Sequence, residues 1–175
     1  MRRVVVTREE LRKLPYYTTE VSRGKTIGEI IGMLEDMGIT SYQFTKDNGE
    51  GLRIKMTVEQ NGVRKEIGFD FSVPLIYTVD RRSKKEVYEE KVSWRIFYKY
   101  LEAKLAVIHS GIVEAQYELS SFIVYRLPSG VETTIGEVLN NLIFTDRLDK
   151  MALPNPEEDT GKPKTISVDY KVTEG

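Results

Sequence analysis

The sequence predicts an α+β protein: a three- to four-stranded antiparallel meander packed against a long amphipathic helix and a second helix. Two patterns carry this prediction. Apolar and polar residues alternate along residues 39–71, as in strands with one buried face. Apolar residues then recur at helical spacing along residues 86–110, as in a helix packed on such a sheet. We also expect a small C-terminal helical subdomain at one end.

The strands of the meander are predicted from alternation and from turn residues. Residues 52–60, LRIKMTVEQ, place every second, apolar side chain on one face, and residues 63–73 repeat this pattern. Asn61-Gly62 between them is a typical two-residue hairpin turn. Residues 39–47 supply the first strand with a less regular alternation. We expect residues 73–85 to be a connection.

Capping boxes mark three predicted helix starts. Threonine and glutamate stand three residues apart at 7–10, and twice more in the repeated tetrapeptide TIGE at 26–29 and 134–137. In this arrangement each side chain satisfies a free backbone amide of the first turn. The long helix is expected to end at Gly111, because glycine tolerates the left-handed conformation that follows a helix. The predicted helices are 8–14, 27–37, 86–110, 113–119 and 135–142.

Three regions are expected along the chain. Residues 1–24 form an N-terminal arm with a short strand at 4–6 and a short helix, residues 25–153 form a single α+β domain, and residues 154–175 form a C-terminal arm. A strand-like piece is predicted near 121–127, followed by a turn at 128–130. The segment TISVDYKV in the C-terminal arm is predicted as a last edge strand.

Composition restricts the chemistry that the chain can support. The chain has 175 residues, no cysteine and a net charge of −1. Disulfides and thiolate metal sites are thereby excluded, and a single histidine, His109, argues against a histidine zinc site. The balanced charge means that any nucleic-acid surface must be local. No apolar run approaches the roughly 20 residues of a membrane span, so we expect no membrane partner and a cytoplasmic location.

Gly24-Lys25-Thr26 matches the end of the phosphate-binding loop of nucleotide hydrolases. The first glycine of that loop would have to stand at position 19, which is Thr19. The second TIGE copy has no Gly-Lys before it, yet it also precedes a predicted helix. A helix start therefore explains this stretch better than a nucleotide site, and no cofactor is expected.

A basic cluster followed by a basic stripe is the main candidate site. The stretch RRSKK precedes the long helix, and three cations recur along that helix at every fourth position. Such a surface could track phosphates, aided by the amides of the helix start. A solvated face, partly paired with Glu89, Glu90 and Glu102, explains the same pattern. The candidate nucleic-acid-binding residues are Arg81, Arg82, Lys84, Lys85, Lys91, Arg95 and Lys99.

Glu102-Ala103-Lys104 matches the last part of a metal-dependent nuclease pattern. That chemistry sets the acidic residue and the lysine on a strand beside another carboxylate, for which Asp70 is a candidate. Here the pair lies within a predicted helix, where positions two apart point in different directions. No catalytic or metal-binding residue is therefore assigned from the sequence.

Several segments resemble an uncharacterised family of small proteins encoded by bacteriophages and prophage-like elements. The resemblance rests on TTEVSRGKTIGEIIGMLEDMGITSYQF, on WRIFYKYLEAKLAVIHSGI, and on LPSGVETTIGEVL with MALP, and it covers residues 18–154. These motifs are patterns of packing and capping. The resemblance implies a phage or mobile-element setting, and it carries over no activity, cofactor or site residue.

The sequence favours a non-enzymatic accessory protein that binds nucleic acid through residues 81–99. A protein–protein interaction or self-assembly module, such as a homodimer built on an aromatic sheet edge and the terminal arms, is the alternative. A metal-dependent nuclease is the third option. Many charged residues without cysteine would also suit a thermophile.

Overall fold

The computed structural model describes residues 3–45, 50–60, 62–80, 83–127 and 129–144. The chain divides into two compact units, residues 1–139 and 140–175. Only residues 140–144 of the second unit are described, so the predicted C-terminal arm and its edge strand lie outside the described residues. No helix among the described residues combines the length and the apolar character needed to cross a bilayer.

The described residues contain eight strands, five α-helices and a 3-10 turn at Ser120–Phe122. The strands are β1 (Arg3–Val6), β2 (Ser41–Thr45), β3 (Gly51–Gln60), β4 (Val63–Ser72), β5 (Leu75–Val79), β6 (Glu86–Tyr88), β7 (Val124–Arg126) and β8 (Glu132–Thr134). The helices are α1 (Arg8–Lys13), α2 (Arg23–Asp36), α3 (Glu90–His109), α4 (Ala115–Glu118) and α5 (Ile135–Phe144). This mixture confirms the α+β class.

The predicted antiparallel meander is present as the sheet β2-β3-β4. Ile54 in the central strand stands opposite Tyr42 of β2 and Phe69 of β4. β3 ends at Gln60 and β4 begins at Val63, so residues 61–62 connect them as the Asn-Gly pattern predicts. Gly62 has a φ of +75°, a conformation that side chains other than glycine rarely adopt.

A second sheet, β1-β5-β6, corrects the sequence prediction in two places. Residues 73–85, predicted as a connection, contain β5, which pairs in parallel with β1 and antiparallel with β6. The first residues of the predicted long helix form β6 instead, and the helix α3 begins only at Glu90. Val87, placed on the inner stripe of that helix by the periodicity, is exposed on β6.

The core lies between the meander and the helices α2 and α3. Trp94, Leu101 and Leu105 on α3 are at most 1% exposed, which confirms that this helix packs with its apolar stripe inward. Apolar burial of this extent is the main stabilising term of such a fold. The other buried apolar residues of this core are Ile30, Leu34, Ile39, Leu52, Ile54, Phe69, Phe71, Val73, Phe97 and Leu119.

Helix α2 begins one turn earlier than the capping pattern predicts. Ser22 is the N-cap, and its hydroxyl accepts a hydrogen bond from the amide of Lys25 at 3.3 Å. Thr26, predicted as a cap, lies inside the helix with no exposed surface. Gly24-Lys25-Thr26 therefore forms the first helical turn and is not a loop, because the serine upstream satisfies the free amides first.

The two other predicted capping boxes are present. Thr7 and Glu10 exchange hydrogen bonds at the start of α1. Thr134 and Glu137 do the same at the start of α5, where the amide of Thr134 lies 3.1 Å from the glutamate. The predicted helix at 113–119 is reduced to α4, and the strand-like piece near 121–127 is divided into the 3-10 turn and β7. β8, which pairs with β7, was not predicted.

Candidate nucleic-acid interface

The basic cluster lies at the tip of the β5–β6 hairpin. The last pair of this hairpin joins Val79 to Glu86, so residues 80–85 form the connection, which we call the hairpin tip. Arg81 and Arg82 lie outside the described residues. The cluster is thus separated from the long helix by a strand, which corrects the expectation that it directly precedes that helix.

Asp80 organises the described part of the hairpin tip. Its carboxylate accepts hydrogen bonds from the amide of Ser83 at 2.9 Å and from the hydroxyl of Ser83 at 2.7 Å. Its backbone amide donates to the carbonyl of Lys85, and the amide of Lys84 donates back to its carbonyl. Lys84 adopts a φ of 57°, in the left-handed region. These contacts fix the turn that carries both lysines.

The two described lysines of the hairpin tip are exposed and uncompensated. Within the described part of the chain, no carboxylate lies within 4.0 Å of the ammonium group of Lys84 or Lys85. A cavity of about 540 Å³ brings Arg8, at the start of α1, to the same side as Lys84. Glu9, Glu10 and Asp80 also line this cavity, so its described lining has no cationic excess, and the positive charge without an ion-pair partner lies on the two exposed lysines.

The three cations of the helix stripe each contact a carboxylate. Lys91 pairs with Glu20 at 2.8 Å and Lys99 pairs with Glu102 at 2.7 Å. Arg95 pairs with Glu29 of α2. Of the partners expected from the sequence, Glu89, Glu90 and Glu102, only Glu102 pairs with a cation of the stripe. The other two partners, Glu20 and Glu29, come from distant parts of the sequence. These pairs reduce the charge that the stripe can offer to phosphates.

The hydrogen bonds that the stripe lysines donate keep their partner carboxylates, Glu20 and Glu102, ionised. Lys91 lowers the pKa of Glu20, and Lys99 lowers the pKa of Glu102, in both cases chiefly through the hydrogen bond that the ammonium group donates. A carboxylate held by a cation in this way is easier to ionise than a free one. At neutral pH the stripe is therefore a row of ion pairs.

The start of α3 is acidic and not an anion-binding site. Glu89 is its N-cap residue and Glu90 lies in its first turn. The carboxylate of Glu89 accepts a hydrogen bond from the hydroxyl of Thr78. Negative charge at a helix N-terminus is favourable, but it repels a phosphate. The expected contribution of these amides to phosphate binding is therefore not supported.

A buried polar cluster around Glu50 was not predicted from the sequence. The side chain of Glu50 is 16% exposed, and one of its oxygens lies 2.9 Å from Nη1 of Arg23. Its other oxygen accepts hydrogen bonds from the hydroxyl of Tyr88 and from the indole nitrogen of Trp94. The guanidinium of Arg23 stacks over the Trp94 ring, 5.1 Å from its centroid. The cluster joins α2, β6 and α3 to the residue before β3.

The Glu50 cluster holds Tyr88 in its neutral form. Burial raises the pKa of Tyr88 strongly, and the hydrogen bond to the Glu50 carboxylate raises it further. Ionisation of the phenol would place a second negative charge beside that carboxylate in a poorly solvated site. A buried tryptophan N–H requires a hydrogen-bond acceptor. Since the sequence predicts that Trp94 is buried, it could have indicated that a polar side chain such as Glu50 lies beside it.

The residues of the nuclease pattern do not come together. Glu102 accepts hydrogen bonds from Tyr98 and Lys99, whereas Lys104 pairs with Glu118 of α4. Asp70 pairs with Arg53 across the meander at 2.9 Å. Among the described residues, no group of three or more histidine, cysteine, aspartate or glutamate side chains is placed to hold a metal ion.

No family model, curated protein or solved structure matches this chain.

Proposed function

We propose that this chain is a non-enzymatic accessory protein that binds nucleic acid through the tip of the β5–β6 hairpin. The observation that carries the proposal is the pair of exposed, uncompensated cations Lys84 and Lys85 on a turn held by Asp80. The phage or mobile-element setting of the proposal rests on the sequence resemblance alone.

The geometry favours the hairpin tip over the helix stripe. A phosphate gains most from a cation that has no internal carboxylate partner, because no ion pair must be broken on binding. Lys84 and Lys85 meet this condition, and Lys91, Arg95 and Lys99 do not. Arg81 and Arg82 adjoin the two lysines in the sequence and add two further positive charges.

The binding measurement uses fluorescence anisotropy with labelled single- and double-stranded DNA and RNA over a series of salt concentrations. We expect affinity to fall steeply as salt rises, because bound cations release counterions from the nucleic acid. The double variant K84A/K85A should weaken binding about tenfold at low salt and reduce the salt slope by about one to two.

The double variant K25A/K65A is the matched control. Lys25 on α2 and Lys65 on β4 are both exposed and have no ion-pair partner among the described residues, so the control removes the same formal charge at a different place. A control that weakens binding as much as K84A/K85A would mean that only net charge matters, and the hairpin-tip proposal would then be wrong. Absence of salt-dependent binding to every probe would also overturn it.

Self-assembly through the N-terminal strand is the second candidate function. β1 is an edge strand whose two central residues, Val4 and Val5, are 37% and 46% exposed. An exposed β-branched edge favours pairing with another chain. The occupant that we propose is the β1 strand of a second copy, placed antiparallel across a two-fold axis.

Sedimentation velocity over a range of protein concentrations tests this candidate. A dimer that persists at high salt and dissociates in Val5→Lys would support it, because a lysine on an edge opposes strand pairing. Lys65→Ala serves as a charge-changing control away from β1. A monomer at all concentrations, or a dimer that Val5→Lys leaves intact, would exclude this use of β1.

A further inference from the structure

The hairpin tip is carried by a short strand at the edge of its sheet. β6 has three residues, and β5 is the one strand with which it pairs in the described part of the chain. Three cross-strand pairs join the two strands. A ladder this short contributes little stability by itself. The direction in which Lys84 and Lys85 are held therefore depends also on contacts that β6 makes outside this ladder.

Tyr88, the last residue of β6, contacts the core through its hydroxyl group. The hydroxyl donates to Oε2 of Glu50 at 2.8 Å, and the same oxygen accepts the indole N–H of Trp94. Trp94 lies on α3 and is 1% exposed. Glu50 thereby joins the strand that carries the hairpin tip to a buried side chain of the long helix.

Glu50 is itself held in place on two sides. Its Oε1 pairs with Arg23 of α2, and its backbone carbonyl accepts the amide of the buried Val73 at 2.9 Å. A hydrogen bond to an ionised acceptor is about twice as strong as one between neutral groups. The fixed carboxylate can therefore hold the Tyr88 hydroxyl, and β6 with it, in one place.

The ring of Tyr88 makes a second contact that is distinct from that of its hydroxyl. It packs against Tyr77, its partner in the β5–β6 register, with the ring centroids 5.4 Å apart. The ring thus holds β6 against β5, whereas the hydroxyl fixes β6 relative to α3. Removal of the hydroxyl alone would leave the first restraint and abolish the second.

The anchored residue is close to the cations of the tip. Lys85 lies three positions before Tyr88, which is about 10 Å along an extended strand. Movement of β6 at Tyr88 would therefore displace both lysines. Cations that are held in one direction before binding need less ordering when a phosphate arrives, and this raises affinity.

We propose that Tyr88 is a positioning residue for nucleic-acid binding, whose hydrogen bond to Glu50 holds Lys84 and Lys85 in the direction that phosphates require. This inference rests on the proposed function of the hairpin tip. It gives a role in that function to a residue that carries no charge and lies outside the tip.

Tyr88→Phe tests the anchor in the absence of nucleic acid, and Tyr98→Phe is the matched control. Tyr98 lies within α3 and also donates its hydroxyl to a carboxylate, that of Glu102 at 2.9 Å. Both variants keep their aromatic ring and should remain folded. Hydrogen exchange measured by NMR should be about fivefold faster in Tyr88→Phe at the amides of Asp80 and Lys84, which are bonded within the tip. Tyr98→Phe should leave both rates unchanged.

Fluorescence anisotropy with the same nucleic-acid probes tests the effect on binding. Tyr88→Phe should weaken binding about threefold and leave the salt slope unchanged, because every cation is retained. In the K84A/K85A background the same substitution should have no further effect, since the groups that it positions are absent. An equal loss in both backgrounds would reveal a general structural effect and overturn the positioning role.

The outcomes separate this inference from the proposed function. Exchange rates or an affinity that Tyr88→Phe leaves unchanged, or equal changes in Tyr98→Phe, would overturn the positioning role while binding through the tip stands. Absence of binding by the wild-type protein would overturn the proposed function and this inference together.

Discussion

Trp94 donates its indole N–H to the carboxylate of Glu50, which joins the most deeply buried aromatic residue of α3 to the residue preceding β3. The same carboxylate pairs with Arg23 and accepts the hydroxyl of Tyr88. Glu50→Gln should therefore lower the free energy of unfolding by about 2–4 kcal/mol, because it leaves a partly buried guanidinium without its closest partner. Urea denaturation measures this change.

Glu66→Gln is the control for the Glu50 substitution. Glu66 is exposed, and its nearest cation, Lys55, lies 3.6 Å away. Removing this charge should change the free energy of unfolding by less than about 0.5 kcal/mol. Equal losses in the two variants would mean that the Glu50 cluster does not hold α2 and α3 on the sheet.

The raised pKa of Tyr88 predicts that the folded state loses stability at alkaline pH. Its pKa is raised in the folded state by burial and by Glu50. The unfolded chain therefore releases this proton at about pH 10, while the folded chain still holds it. The stabilising contribution is fully present below about pH 10 and declines as the pH rises further.

Urea denaturation between pH 8 and pH 11 tests this dependence. The wild-type free energy of unfolding should fall above about pH 10, and Tyr88→Phe should fall less steeply because it has no phenol to ionise. Tyr98, whose pKa burial also raises, remains in both proteins. An unchanged slope in Tyr88→Phe would assign the alkaline loss to other groups.

Two glycines should respond to alanine in opposite directions. Gly28 lies within α2, where an added Cβ meets nothing within 4 Å, so Gly28→Ala should raise the free energy of unfolding by about 0.5–1 kcal/mol. A Cβ at Gly51 would lie 2.7 Å from the carbonyl oxygen of Phe71 and 2.8 Å from the hydroxyl of Thr45. Gly51→Ala should therefore lower the free energy of unfolding by about 1–3 kcal/mol. Thermal denaturation of both variants decides, and a stabilised Gly51→Ala would contradict this packing.

The start of α2 can be located by two substitutions. Ser22→Ala should cost about 1 kcal/mol, because it removes the N-cap acceptor. Thr26→Val should leave the free energy of unfolding unchanged or raise it by about 1 kcal/mol. The reason is that the buried hydroxyl of Thr26 has no hydrogen-bond partner among the described residues. If Thr26→Val cost more stability than Ser22→Ala in urea denaturation, the helix would begin at Thr26 in solution.

Much of the fold was predictable because its signals are local. The alternation through Leu52 and Ile54 and the turn at Gly62 specify the β3–β4 hairpin without reference to the rest of the chain. The parallel pairing of β1 with β5 was missed, because it joins segments that are distant in sequence and each too short to show a period. The start of α2 was misplaced because serine and threonine are both good caps, and only the tertiary burial of Thr26 distinguishes them.

The candidate site was predictable only in part. The charges of Lys84 and Lys85 are visible in the sequence, but the pairing of Lys91 with Glu20 and of Arg95 with Glu29 depends on how distant segments pack. The Glu50 cluster likewise draws on side chains from α2, β6 and α3. Spacing within one element cannot reveal sites of this kind.

The parallel β1–β5 pair also has a consequence for synthesis of the chain. β1 leaves the ribosome before its partner strand, which follows about seventy residues later, so Val4 and Val5 have no partner strand until β5 has been synthesised. During that interval this segment is open to chaperones and to the same strand of a neighbouring nascent chain. Formation of β5 ends this period of exposure.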